Sequence, residues 1–150
     1  MDSLKRILLA EDDSKDVELI LTALEEHKLA NEVVVMHDGV EALDYLFARN
    51  KFAGRPKGNP AVILLDLKMP KMDGLEVLRK IKADPALKTL PVVVLTSSRE
   101  SSDLDECYRL GVNAYVVKPV KFSEFVDAVK ELGIFWALIN EPPSASLKKI

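Results

Sequence analysis

Four short stretches of the chain are apolar at every position: Ile7 to Ala10, Ala61 to Leu65, Val92 to Leu95 and Tyr115 to Val117. A fifth, E-V-V-V-M at 32 to 36, reads the same way. Continuous apolar runs, as opposed to alternating ones, are expected of strands covered on both faces. Helical patterns lie between them. Val17, Ile20, Leu21 and Leu24 follow the i, i+3, i+4, i+7 spacing, and Val40, Leu43, Leu46 and Phe47 fall on a similar stripe. Leu75, Leu78 and Ile81 form a third, with Asp73 placed to cap it. Leu104, Cys107 and Tyr108 form a narrow fourth, closed by Gly111. Phe122, Phe125, Val126, Val129, Leu132, Trp136 and Ile139 make a fifth.

Strand and helix therefore alternate five times. Parallel strands need crossover connections, so the pattern predicts an α/β fold, a (βα)5 doubly wound parallel sheet with helices on both faces. Right-handed crossovers in a chain of this length favour the strand order 2-1-3-4-5. The segment N-K-F-A-G-R-P-K-G-N-P at 50 to 60 reads as a long Gly/Pro-rich loop. Residues 1–139 are expected to form one domain, and the polar, proline-containing residues 140–150 a loose tail.

Composition narrows the field. A net charge of −3, with basic residues scattered and not interleaved with aromatics, carries no nucleic-acid footprint. A single cysteine, Cys107, excludes an internal disulfide or a cysteine metal cluster. The N-terminus lacks the apolar core of a signal peptide, and no run is long enough to span a bilayer. A cytoplasmic protein with no membrane segment is the expectation.

The chemistry lies just past the strands. Ile7 to Ala10 is followed by Glu11, Asp12 and Asp13, Ala61 to Leu65 by Asp66, Val92 to Leu95 by Thr96, and Tyr115 to Val117 by Lys118. In a parallel sheet these positions share the carboxyl edge, where such folds build their sites. Each has an ordinary explanation taken singly: an acidic helix start, a turn residue, a threonine cap, a solvated lysine. Together they gather several carboxylates, a hydroxyl and an ammonium in one crevice. Crowded carboxylates take up protons unless a counter-charge is present. A hard cation such as Mg²⁺, satisfied by a few oxygens and waters, supplies one. Metal plus lysine suits a dianionic phosphoryl group, with the hydroxyl of Thr96 able to donate to it.

The motifs I-L-L-A-E-D-D at 7 to 13, L-L-D-L-K-M-P-K-M-D-G at 64 to 74, V-V-V-L-T-S-S at 92 to 98 and Y-V-V-K-P at 115 to 119 resemble the receiver domains of two-component response regulators. The match runs from about residue 5 to 132, nearly the whole chain. The resemblance implies a flavodoxin-like fold with Asp66 as phosphoacceptor. It implies a Mg²⁺ site made of Asp12, Glu11 acting mostly through water, Asp66 and the backbone carbonyl of Lys68. It also implies Thr96 and Tyr115 as switch residues, Lys118 as the phosphoryl-binding cation, and a cis bond from Lys118 to Pro119. The Met69-Pro70 pair would hold the backbone that presents the Lys68 carbonyl, although Met69 also reads as simple packing. Asp66 would attack a phosphohistidine on a sensor histidine kinase. The protein would catalyse its own phosphorylation and slow dephosphorylation without being a turnover enzyme.

Two departures stand out. The acidic triplet begins with Glu, whose longer arm still reaches through water. Lys68 and Ser98, each two residues past a site residue, would border the path of attacking water and set the dephosphorylation rate. No DNA-binding domain is expected, and the resemblance implies that output would leave through the face of the fourth helix, fifth strand and fifth helix. I-F-W-A-L-I at 134 to 139 adds apolar residues off the fifth stripe, which suggests burial against a partner or a second copy. The long 50 to 60 loop and this ending look like single-domain regulators that pair with bacteriophytochrome-type kinases, and a homodimer through that face is the matching expectation. Three other classes compete. An aspartyl phosphatase wants a second acid two residues past Asp66, where Lys68 stands. A flavin or dinucleotide module wants a glycine- or hydroxyl-rich loop where E-D-D stands. A phosphorylation-independent interaction module would have no need of the intact site residues.

Overall fold

The computed structural model describes residues 6–26, 32–56, 58–97, 101–118, 121 and 123. Along the chain run β1 (Arg6–Ala10), α1 (Ser14–Glu26), β2 (Glu32–Met36), α2 (Gly39–Leu46), a 3-10 turn (Asn50–Phe52), β3 (Val62–Leu65), α3 (Gly74–Ala83), β4 (Val92–Thr96), α4 (Ser101–Arg109) and β5 (Ala114–Val117). The five strands form one parallel sheet in the order β2-β1-β3-β4-β5, as the alternation predicts. The fifth helical stripe, the 134 to 139 segment, Ser98, Pro119 and the boundary at residue 139 lie outside the described residues.

The continuous apolar runs are explained by two cores, one on each face of the sheet. Leu8, Ala10, Ile63, Leu65, Val92 and Val94 point to the face covered by α2, α3 and α4. Ile7, Leu9, Val62, Leu64, Val93 and Leu95 point to the other, where Leu24 of α1 packs. Side chains alternate along a strand, so a strand buried on both faces must be apolar at every step. Each such residue, at or near zero exposure, contributes roughly 1.5–3 kcal/mol of burial.

Helix boundaries follow local chemistry. The Asp73 carboxylate accepts from the Glu76 N–H at 2.9 Å and starts α3, as expected. Asp38 does the same for α2 through the Glu41 N–H at 2.7 Å. After α4 the Gly111 N–H donates to the Tyr108 carbonyl and the Val112 N–H to the Cys107 carbonyl, both at 3.0 Å. This is a Schellman motif, and Gly111 takes the φ of +89° that it requires.

Two expected core positions are corrected. Val40 is 38% exposed and Tyr108 52% exposed. The buried stripe of α2 runs through Ala42, Leu43, Tyr45 and Leu46, and about 100° per residue turns Val40 off it. Cys107 is fully buried, which turns its neighbour Tyr108 outward by the same rotation. The 50 to 60 segment is also more ordered in form than a plain loop. It opens with the 3-10 turn and is tied down by Arg55, whose guanidinium donates to the carbonyls of Tyr45 (2.6 Å), Leu46 (3.2 Å), Pro56 (2.7 Å) and Gly58 (3.0 Å). Among the described residues, no helix is long and apolar enough to cross a membrane.

Candidate functional site

The sheet carries its hydrogen bonding one step past the strand ends. The Glu11 N–H donates to the Met36 carbonyl at 2.9 Å, the Asp66 N–H to Ala10 at 3.0 Å, and the Lys118 N–H to Thr96 at 2.8 Å. Ala10 is paired with Leu65, and Thr96 with Val117. The register that buries the core therefore also aligns Glu11 with Asp66, and sets Lys118 one step past Thr96, on one edge. Glu11 is 1% exposed, Asp66 5% and Thr96 0%, while Asp12 reaches solvent.

Glycine allows helix α3 to press against this edge. A Cβ on Gly74 would lie 2.3 Å from the Asp66 carbonyl oxygen and 2.7 Å from Leu67 Cα. The Gly74 N–H donates to the Leu67 carbonyl at 2.8 Å, closing the loop that leaves β3. In that loop Lys71 takes φ +68°, with the Met72 N–H donating to the Pro70 carbonyl at 2.7 Å. Met69 is buried in the main core cluster, so packing is one of its jobs.

Oxygens of Glu11, Asp12 and Asp66 all lie within 4.8 Å of one another, so these three side chains could hold a metal ion. The ammonium of Lys118 donates to Glu11 Oε1 at 2.6 Å and to Asp16 Oδ2 at 2.7 Å, and stands 3.7 Å from Asp66 Oδ1. The structure thus brings together Glu11, Asp12, Asp66 and Lys118, with Thr96 buried on the same edge. Tyr115 is half-buried against the main core. Lys68 is exposed and, with Asp12, Met69, Pro70, Asp73 and Asp103, lines an open cleft of about 650 Å³ beside the carboxylates.

The electrostatics are unbalanced. Burial, followed by the charge of Glu11, pushes the Asp66 carboxyl up to about 7, against the opposing pull of Lys118 and the Lys68 N–H. Burial alone would lower Lys118, but its bonds to Asp16 and Glu11 and the charge of Asp66 outweigh burial and hold the ammonium above its ordinary value. Asp66 is thus a carboxylate short of positive charge, even with a lysine nearby.

Asp16 is the residue that sequence reading missed. The acidic stretch was read as 11 to 13 only, yet Asp16 completes the pattern D-S-K-D, a cap residue followed three positions later by an acid. That spacing places a fourth carboxylate on the first turn of α1, within reach of the sheet edge.

The profile of the response regulator receiver domain matches residues 7–130. A solved structure titled bacteriophytochrome response regulator RtBRR is 60% identical, with a TM-score of 0.83, over 97% of this chain and 87% of that one. The phosphorylated cyanobacterial phytochrome response regulator RcpA is 42% identical, with a TM-score of 0.76, over 95% of this chain and all of that one (100%). The response regulator Rcp1 of Synechocystis sp. is 38% identical over 94% of this chain and 95% of its own length. A structure of a response regulator of that name was solved in a Mn²⁺-bound form, at 36% identity and a TM-score of 0.74, over 93% of this chain and 99% of that one. These matches bear out the resemblance to phytochrome-associated regulators read from the 50 to 60 loop and the chain's ending. The chain belongs to the response regulator receiver domain family.

Proposed function

We propose that this protein accepts a phosphoryl group on Asp66 from a phosphohistidine of a sensor histidine kinase, with Mg²⁺ as the required cation. The observation that carries this reading is Asp66: a buried carboxyl crowded by Glu11, with the Lys118 ammonium 3.7 Å away, next in sequence to Leu67 and Lys68 of an open cleft that Asp12 also lines. A group so perturbed loses its uncompensated charge by protonation, by ligating a metal or by becoming an acyl phosphate.

The donor set fits a hard divalent ion: carboxylate oxygens within 4.8 Å of one another, with no sulfur or imidazole among them. Glu11, Asp12, Asp66 and the backbone carbonyl of Lys68 would hold Mg²⁺, which supplies positive charge against the phosphoryl oxygens. An Asp66 oxygen attacks phosphorus in line with the P–N bond. The P–O bond forms as the P–N bond breaks, the electron pair stays on the departing imidazole, and solvent provides its proton. Lys118 binds one phosphoryl oxygen, and the Thr96 hydroxyl donates to another. Tyr115 follows Thr96 inward and alters the surface of α4 and β5, which with the fifth helical stripe expected from the sequence would form the output face and a homodimer interface. Water later cleaves the acyl phosphate, a path that Lys68 borders. The protein is therefore a signalling acceptor and not a turnover enzyme. The names of RtBRR, a bacteriophytochrome response regulator, and RcpA, a cyanobacterial phytochrome response regulator, support a phytochrome-type kinase as the donor; on this reading the exchange takes place in the cytoplasm.

Incubation with Mg²⁺ and acetyl phosphate, read by intact mass, tests the reading. The wild type is expected to gain one phosphoryl group, while Asp66→Asn and an EDTA-treated sample gain none. A wild type left unmodified both by acetyl phosphate and by a phosphorylated histidine kinase would overturn it.

A further inference from the structure

The helix that follows β1 begins with an arrangement that leaves one carboxylate unspent. Asp13 caps α1: its carbonyl accepts from the Val17 N–H at 3.0 Å, and its side chain accepts from the N–H groups of Lys15 (2.8 Å) and Asp16 (3.1 Å). In a capping box the acid three residues on reaches back to the cap residue's N–H. Here that acid is Asp16, but the Asp13 N–H already donates to Glu11 Oε2 at 3.2 Å. The Asp16 carboxylate turns instead to Lys118, at 2.7 Å.

Lys118 has three protons to give. Two are directed at Glu11 (2.6 Å) and Asp16 (2.7 Å), and Asp66 at 3.7 Å lies beyond hydrogen-bond length. Glu11 belongs to the carboxylate group that could hold a cation, and Asp16 does not. Once a cation draws on Glu11, Asp16 remains the one acid among these partners still free to hold the lysine back from a phosphoryl group.

We propose that Asp16 is a positioning residue that competes with the phosphoryl group on Asp66 for the ammonium of Lys118, and so sets how tightly the site holds that group. The inference rests on the phosphoryl-acceptor reading above. It makes Asp16 a brake built into the first turn of α1. The ammonium still has protons to give, but while Asp16 holds it at 2.7 Å its position and charge are shared between that carboxylate and the acyl phosphate, which weakens the phosphorylated state relative to a site without Asp16.

The test is calorimetric binding of beryllofluoride, a phosphoryl mimic, in saturating Mg²⁺, with Mg²⁺ binding measured separately. Asp16→Asn keeps the shape and removes the charge. Releasing one charge-assisted hydrogen bond is expected to tighten beryllofluoride binding by about fivefold. Its Mg²⁺ affinity stays within about twofold of the wild type, because Asp16 is outside the ligand group. Asp16→Glu, which keeps an acceptor on the same turn, returns beryllofluoride affinity to the wild-type range. A purely structural role at the helix start would instead lower thermal stability and weaken both ligands together. Beryllofluoride affinity that is unchanged or weaker in Asp16→Asn overturns the inference. A wild type that binds no beryllofluoride with Mg²⁺ refutes the phosphoryl-acceptor reading itself, and this inference with it.

Discussion

Both ends of the sheet bury charge, and they handle it in opposite ways. At the start of β1, Arg6 is 3% exposed. Its guanidinium donates to the Gly58 carbonyl at 3.0 Å and lies 5.6 Å from the centre of the Tyr45 ring. Arg55 lies 4.5 Å from the same ring and also donates to Gly58. Two cations are thus held by carbonyl dipoles and an aromatic face, and among the buried side-chain nitrogens and oxygens of the described residues the Nε of Arg6 is the one without a hydrogen-bond partner. At the far edge, Glu11, Asp16 and Asp66 draw on one ammonium, that of Lys118, with Asp12 a further carboxylate in the same group, and among the described residues no other cation is paired with them. The chain closes the first account with its own backbone and leaves the second open. Buried charge by itself is common. Charge that the protein's own groups leave uncompensated is what points to a ligand.

Removing one charge from each end should give opposite signs. Arg6→Ala takes away a buried side chain packed on Tyr45 and leaves the Gly58 carbonyl without one donor, at a cost of roughly 2–4 kcal/mol. Asp66→Asn removes the crowded carboxylate and should stabilise the metal-free protein at pH 7.5 by about 1–3 kcal/mol while abolishing phosphorylation. Urea unfolding of both variants in EDTA checks the pair. Destabilisation by Asp66→Asn would mean that the acceptor end is as well balanced as the other.

Gly74→Ala sharpens the comparison from the backbone side. The added methyl would meet the Asp66 carbonyl oxygen at 2.3 Å, so α3 must move away or the end of β3 must shift. The expected cost is roughly 2–3 kcal/mol, with slower phosphorylation of the surviving folded protein. Folded protein of wild-type stability and wild-type phosphorylation rate would show that the close approach has no role in placing Asp66.

The fold was legible because β3 is apolar at every step, and β1 and β4 at every step but the Arg6 and Thr96 at their ends, and only strands covered on both faces need that. The edge residues Glu11, Asp66, Thr96 and Lys118 were legible for a related reason: a polar residue that ends an apolar run has one place to go in a parallel sheet. Val40 and Tyr108 were misread because a short helix with a narrow stripe does not fix its own rotation, and packing of Leu43 and Cys107 decided it. The Arg55 staple was hidden because its partners are backbone carbonyls, which leave no mark on sequence. Asp16 was hidden because its spacing is that of an ordinary helix cap. Only the Asp13 N–H, already engaged by Glu11, shows that the cap role was not available to it.

The smallest expected effect is a pH dependence that belongs to the acceptor end alone. The Asp66 carboxyl is raised from an ordinary acid value of 3.8 to about 7 in the folded protein. A raised acid binds its proton more tightly when folded, so protonation favours the native state. The stability it lends is fully present below about pH 4 and is lost as pH rises toward about 7, the reverse of a salt-bridged carboxylate. In EDTA, the contribution of Asp66 should therefore make wild type less stable at pH 7.5 than at pH 5.5, relative to Asp66→Asn, by about 1–2 kcal/mol. Comparison with the variant cancels the titrating groups that do not interact with Asp66. Added Mg²⁺ should remove the difference, because a cation that binds the ionised carboxylate stabilises the native state at the pH where the proton no longer does. Among the described residues Arg6 contacts the Gly58 carbonyl and the Tyr45 ring, neither of which titrates in this range, so Arg6→Ala should leave the pH profile unchanged in shape. A wild type whose stability tracks that of Asp66→Asn across this range in EDTA would show that the site balances its charge without metal, and the contrast between the two ends of the sheet would fail.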